Sequence, residues 1–139
     1  MALYRGKIRV KAKGFCSIHD ITNNVAEILR LSGLSQGICC VSISGSTAAV
    51  STVEYEPGLV LDIPTLLEKL IPSNVSYEHD KTWHDNNGFS HLRSFLIKTS
   101  LSLSFNEGKL DLGTWQQIVF VDFDNRPRTR EITVQFIGE

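Results

Sequence analysis

The chain has 139 residues, with 14 Lys and Arg against 15 Asp and Glu, a formal net charge of −1 and a pI near 6.4. About one domain of this size buries a core without disulfides or a structural metal, and so balanced a charge supplies no general attraction to nucleic acid or an anionic membrane. The three cysteines, Cys16, Cys39 and Cys40, are an odd set with two neighbours, a poor disulfide framework and better read as reduced core fillers.

The first residues, MALYRGKIRVKAKG, contain no apolar block, so no secretory signal is expected. Residues 31–53 lack charge, but six serines, two threonines and three glycines interrupt them, which argues against a membrane span. The expectation is one domain, 1–139, in a cytoplasmic protein that binds neither nucleic acid nor membrane.

From Tyr4 to Lys13 the pattern alternates strictly. Arg5, Lys7, Arg9, Lys11 and Lys13 share one face and Tyr4, Ile8, Val10 and Ala12 the other, the signature of a half-buried strand. Its basic stripe serves either as a solvated face that discourages edge pairing or as an anion-binding surface. Asp20 is placed to cap a helix whose apolar positions are Ile21, Val25, Ile28 and Leu29, and Gly33 is placed to end it.

Residues 37–44 and 48–55 read as strands separated by Gly45, Ser46 and Thr47, a segment that is either a tight turn or an anion-binding nest. Asp62 is the expected cap of a second helix, with Pro64 in its first turn and Pro72 closing it after Leu66, Leu67, Leu70 and Ile71.

The segment from His79 to His91, HDKTWHDNNGFSH, holds three of the four histidines with two aspartates and two asparagines. Histidine titrates near working pH and is the commonest metal ligand. The spacings match no zinc motif. On a loop freed by Gly88 these residues either converge on a site or cap turns.

Beyond it, Leu92, Phe95 and Leu96 have helical spacing over 91–98. Leu101, Leu103 and Phe105 alternate with serines, Asn106, Glu107 and Gly108 form a hairpin loop, and residues 109–112 return. Residues 116–123 are apolar on both faces, as in a central strand, and residues 128–137 form the last strand. In that strand Arg128 and Arg130 share a face with Ile132, Val134 and Phe136. Buried unpaired guanidinium is costly, which leaves three arrangements: pairing with Asp122 or Asp124, a bulged strand, or a cavity holding an anion. Thr114, Trp115, Gln116 and Gln117 open the 116–123 strand, where the indole either packs or binds. The element order points to α+β with a mainly antiparallel sheet system.

Taken together, GSTAA at 45–49, EPGL at 56–59, YEHDKTWHDNNGFSHLRS at 77–94, LGTWQQI at 112–118 and RPRTRE at 126–131 resemble the YjbQ family, whose members are often labelled secondary thiamine-phosphate synthase. The resemblance implies a compact mixed, mainly antiparallel β-sandwich with two or three flanking helices, assembled as a homotrimer with polar motifs gathered in a pocket near subunit contacts. It also implies a side activity joining a hydroxymethylpyrimidine diphosphate to a thiazole phosphate. The family's recurring polar positions correspond to Thr47, Glu54, His79, Asn87, His91, Thr114, Trp115, Gln116 and Arg128, while many members carry histidine where this chain has Gly45.

For a transferase, the expected roles are acid–base or metal chemistry at His79, His91 and Asp85. Ser46, Thr47, Asn87, Thr114, Gln116 and Arg128 would hold the phosphorylated substrate, and Trp115 would stack on its pyrimidine. The alternative is a metal-dependent hydrolase in which His79, His91 and a carboxylate, Glu54 or Asp85, hold Mg or Zn. A third reading is a non-catalytic protein that binds a small phosphorylated or anionic molecule in the same pocket.

Overall fold

A computed structural model describes residues 1–139. In chain order the elements are β1 (Ala2–Ala12), β2 (Ser17–Asp20), α1 (Thr22–Ser32), β3 (Gly37–Ile43), β4 (Ala48–Val53), α2 (Pro57–Leu70), α3 (Glu78–Trp83), α4 (Gly88–Ile97), β5 (Ser100–Asn106), β6 (Lys109–Leu110), β7 (Gln117–Asp122) and β8 (Arg128–Gly138). They form a five-stranded sheet ordered β1-β8-β3-β5-β6 and a three-stranded sheet ordered β2-β7-β4. Every pairing is antiparallel.

Alternation sets which face each strand buries. Ile8 and Ala12 of β1 turn inward with Val41, Ile43, Ile132, Val134 and Phe136, while Ala48, Val50, Ile118 and Phe120 meet them from the second sheet and α1 adds Val25, Ile28 and Leu29. The basic residues of β1 lie on the opposite, exposed face. Burying Ile132, Val134 and Phe136, all at 0% exposure, stabilises by roughly 1.5–3 kcal/mol per side chain. The three-stranded sheet is apolar on both faces: Ala49, Val119 and Val121 point away from this core into a second cluster with Leu67 and Phe123. That is why residues 116–123 read as a continuous apolar run.

Gly33 ends α1 at φ 70° as expected, but the N-cap is Ile21, and Asp20, one residue earlier at the end of β2, accepts the N–H of Thr22 at 3.0 Å. The second helix departs from its expected start. It begins at Pro57, not beyond Asp62, because the Glu56 carboxylate accepts the N–H groups of Gly58 and Leu59 and Pro57 tolerates the first helical position. Pro64 therefore sits in the helix interior and forgoes its bond to Val60. Glu56→Ala is expected to destabilise the protein by about 1 kcal/mol, measured as a lower urea midpoint with an unchanged slope.

Two elements were not foreseen. β2 is only four residues long, and α3 carries no apolar periodicity to announce it. Helix α3 instead starts from a reciprocal cap, in which the N–H of Tyr77 donates to Asp80 Oδ2 at 2.9 Å. The flanking helices thus number four. Of the cysteines, Cys16 and Cys39 are buried, and burial pushes their thiols up to about 11 and about 12, which fits core fillers. No helix is long and apolar enough to cross a membrane.

Candidate functional site

The histidine segment is a helical hairpin, not a loop. Helix α3 ends where His84 turns left-handed at φ 55°, and Asn86 does the same at φ 53° before α4 begins. Gly88 allows the return, since a Cβ there would lie 2.8 Å from the Tyr77 Cβ. Arg93 then anchors α4. Only 1% exposed, its Nη2 donates to Glu68 Oε1 and to the Ile71 carbonyl, both at 2.8 Å, and its guanidinium lies 5.0 Å from the Phe89 ring centre.

This hairpin brings His79 and His91 together, with ring centres 4.3 Å apart and planes tilted by 38°. His79 Nδ1 lies 3.7 Å from both Asp80 Oδ1 and Asp85 Oδ1, too far for hydrogen bonds. It is buried without a hydrogen-bond partner, an uncommon state for a polar atom that requires an explanation. Asp80 is already engaged: Oδ1 accepts the N–H of Gly88 and Oδ2 that of Tyr77. These N–H groups, Tyr77 foremost, hold its carboxyl below the usual range. Asp85 is freer, with a half-exposed side chain and one 3.3 Å contact from the N–H of Asn87. One ligand atom from each of His79, Asp80 and Asp85 lies within 4.8 Å of the others, close enough to share a cation.

Behind the histidines the two arginines of β8 are paired. Arg130 grips Asp122 through two bonds of 2.7 and 3.0 Å and donates to the Thr47 hydroxyl at 2.7 Å. Arg128 Nε donates to Asp124 Oδ2 at 2.9 Å. Because β1 and β8 stay in register from Ala2 opposite Gly138 to Ala12 opposite Arg128, no bulge intervenes. Of the three arrangements the sequence left open, carboxylate pairing is the one formed.

Asp124 Oδ2 also accepts from Thr47 at 3.0 Å and Asn87 at 3.4 Å, while its buried Oδ1 has no partner. Burial alone would raise this carboxyl, but the Thr47 hydroxyl, the Arg128 charge and the Asn87 amide outweigh it and hold it below its ordinary value. A carboxyl so held protects the fold above the unfolded value of ~3.9, and the protection is lost as pH falls toward the lower folded value. Acid unfolding should therefore be shallower in Asp124→Asn than in wild type over that window, read from urea midpoints at successive pH values.

His91 is lowered from its ordinary value by burial first and by the adjacent His79 second, against the opposing pull of Asp85 and Asp124. The shift favours the uncharged imidazole, the form able to accept a proton or a cation.

Among the residues singled out in the sequence, Thr47, His79, Asp85, Asn87, His91 and Arg128 gather at this end of the molecule, with Ser46 beside His91 in an adjoining hollow. Glu54, Thr114, Trp115 and Gln116 do not. The register of β4 on β7 puts Ala48 opposite Asp122 and Val53 opposite Gln117. At about 3.3 Å per residue, Glu54 is therefore some ~20 Å along the strand from Thr47. Within one chain Glu54 cannot share a cation with His79 and His91, nor can Trp115 stack on a ligand held between them. Trp115 is 74% exposed, while Gln116 is occupied by the N–H of Gly113 and the Thr52 hydroxyl. Sequence reading missed Asp80 as a member of the site, although an acidic residue three positions after Tyr77 is the spacing of a reciprocal cap.

The chain matches the UPF0047, YjbQ-like proteins over residues 6–139. It belongs to that family. A UPF0047 protein of Methanothermobacter thermautotrophicus is 37% identical over 139 residues, 100% of this chain and 95% of the relative. The YugU protein of Bacillus subtilis is 30% identical, over 86% of this chain and 88% of its own. Among solved structures, a YbjQ-like protein of unknown function from Sulfolobus solfataricus superposes with a TM-score of 0.93 at 34% identity, covering 99% of each chain. A hypothetical protein from Aeropyrum pernix gives 0.90 at 32%, covering 97% of this chain and 98% of that one. The antiparallel α+β fold is thus shared across this YjbQ-like group.

Proposed function

We propose that this UPF0047 member is a metal-dependent enzyme acting on a small phosphorylated molecule, with hydrolysis as the reaction the geometry favours. The carrying observation is the buried, unpartnered Nδ1 of His79 facing the carboxylates of Asp80 and Asp85. A divalent cation, Mg or Zn, held by His79 and Asp85 would polarise a phosphoryl oxygen and lower the pKa of a bound water. Asp80, held by two backbone N–H groups, would add its negative charge beside the cation. His91, whose ring centre lies 4.3 Å from that of His79, would take up the proton released from the attacking water. Arg128 spends its Nε on Asp124 but is 37% exposed, so its terminal nitrogens remain free for a phosphate oxygen.

Protein purified without chelator should contain metal by elemental analysis and release phosphate or diphosphate from small esters. A metal-free protein that releases neither when given Mg or Zn would leave the non-catalytic binding reading in place.

Transfer of a hydroxymethylpyrimidine diphosphate to a thiazole phosphate is the second reading. It is favoured by the exposure of Trp115, which in a homotrimer would be free to reach a neighbouring chain's histidine site and stack on the pyrimidine. Thiamine phosphate formed from both precursors, and abolished by Trp115→Ala, would select it over hydrolysis.

A further inference from the structure

His91 also lines a second hollow, of about 330 Å³, together with Gly45, Ser46, Phe95, Lys98 and Thr99. Its chemistry is opposite to that around His79. No carboxylate lines it, and Lys98 brings a cation whose Nζ lies 4.9 Å from the Phe95 ring centre. The hydroxyls of Ser46 and Thr99 provide donors on its wall.

Lys98 occupies a backbone conformation that lysine disfavours, with φ 87° and ψ 155°. The surroundings impose it. Its N–H donates to the Ser94 carbonyl at 2.9 Å, its carbonyl accepts from Val50 at 3.2 Å, and the Thr99 carbonyl accepts from Ile43 at 3.0 Å. The turn is thus tied to β3 and β4, where glycine would fit without cost. Gly45, at φ 152°, keeps the opposite wall low, and a Cβ there would lie 3.5 Å from Arg130 Nη1. A bulky cationic side chain is held where local conformation disfavours it, over a polar hollow that shares His91 with the cation-binding side.

We propose that this hollow is a phosphate subsite, in which Lys98, Ser46 and Thr99 hold a non-reacting phosphate of the substrate while His91 faces the reacting one. The inference rests on the phosphorylated substrate of the proposed function, and it places the substrate's charged groups on both sides of one imidazole.

The test is titration of metal-free protein with inorganic phosphate and with pyrophosphate by calorimetry, alongside thermal unfolding. Losing the cation in Lys98→Gly should weaken phosphate binding roughly tenfold or more, while thermal stability stays equal or rises because the backbone strain is relieved. Lys98→Arg should retain binding. Acetate should not compete, and equal competition would overturn the phosphate assignment. Wild-type affinity in Lys98→Gly, or no phosphate binding by wild type, would also overturn it. His79→Ala separates the two readings: it should lose metal yet keep phosphate affinity. Phosphate binding without metal uptake in wild type would sink only the metal site, and metal uptake without phosphate binding only the subsite.

Discussion

Arg130→Met should cost about 3–5 kcal/mol of folding stability, the range expected when one partner of a buried ion pair is removed. Asp122 is 0% exposed and Arg130 only 11%, so the substitution strands a carboxylate in the interior and withdraws a donor from Thr47. The loss should show as a lower urea midpoint. Lys7→Met supplies the contrast. Lys7 and Glu131 also pair at 2.7 Å, but their side chains are 55% and 51% exposed, and such surface pairs contribute roughly 0–1 kcal/mol. Removing both buried partners, as Arg130→Met with Asp122→Leu, should recover much of the loss, because no uncompensated charge then remains. If Arg130→Met cost no more than Lys7→Met, burial would not be what gives the pair its strength.

His79→Ala should weaken divalent-metal binding by roughly 100-fold or more, since even the partners that merely orient a ligand are worth 10–100-fold. Stability should hardly change, because His79 Nδ1 makes no hydrogen bond that the substitution could break. This pairing of a large binding effect with a small folding effect distinguishes a ligand from a structural residue. Zinc titration and elemental analysis of the variant would measure the first, and thermal unfolding the second. His84→Ala is the control: His84 contributes its left-handed backbone to the end of α3, so metal binding should persist. Full retention of metal in His79→Ala would remove the basis of the proposed function.

Much of the fold was legible along the chain. β1 is written in the alternation of Arg5, Lys7, Arg9 and Lys11 with Ile8 and Ala12, and α1 in the spacing of Val25, Ile28 and Leu29. β7 shows as a run apolar on both faces because it lies between two hydrophobic clusters. Less legible was α2, whose cap Glu56 is not a usual capping residue type, so Asp62 drew the boundary inward. Short α3 lacked a periodic signal altogether. The pairing of Arg128 and Arg130 was one of several arrangements their spacing allowed; the unbroken register of β8 excluded a bulge, and the placement of Asp122 and Asp124 within hydrogen-bond reach decided the rest.

Residue types and their two- and three-to-four-residue periods by themselves determined most strands and helices, the inward faces and the richness of the segment around His79 to His91. Those signals arise from steric and burial preferences acting over a few residues. Tertiary structure alone decided which polar groups meet. The turn through His84 and Asn86 folds His79 onto His91, while the β4–β7 register carries Glu54 and Trp115 to the far end of the sheet. Both outcomes depend on pairing between residues distant in the chain, and no local preference encodes that distance.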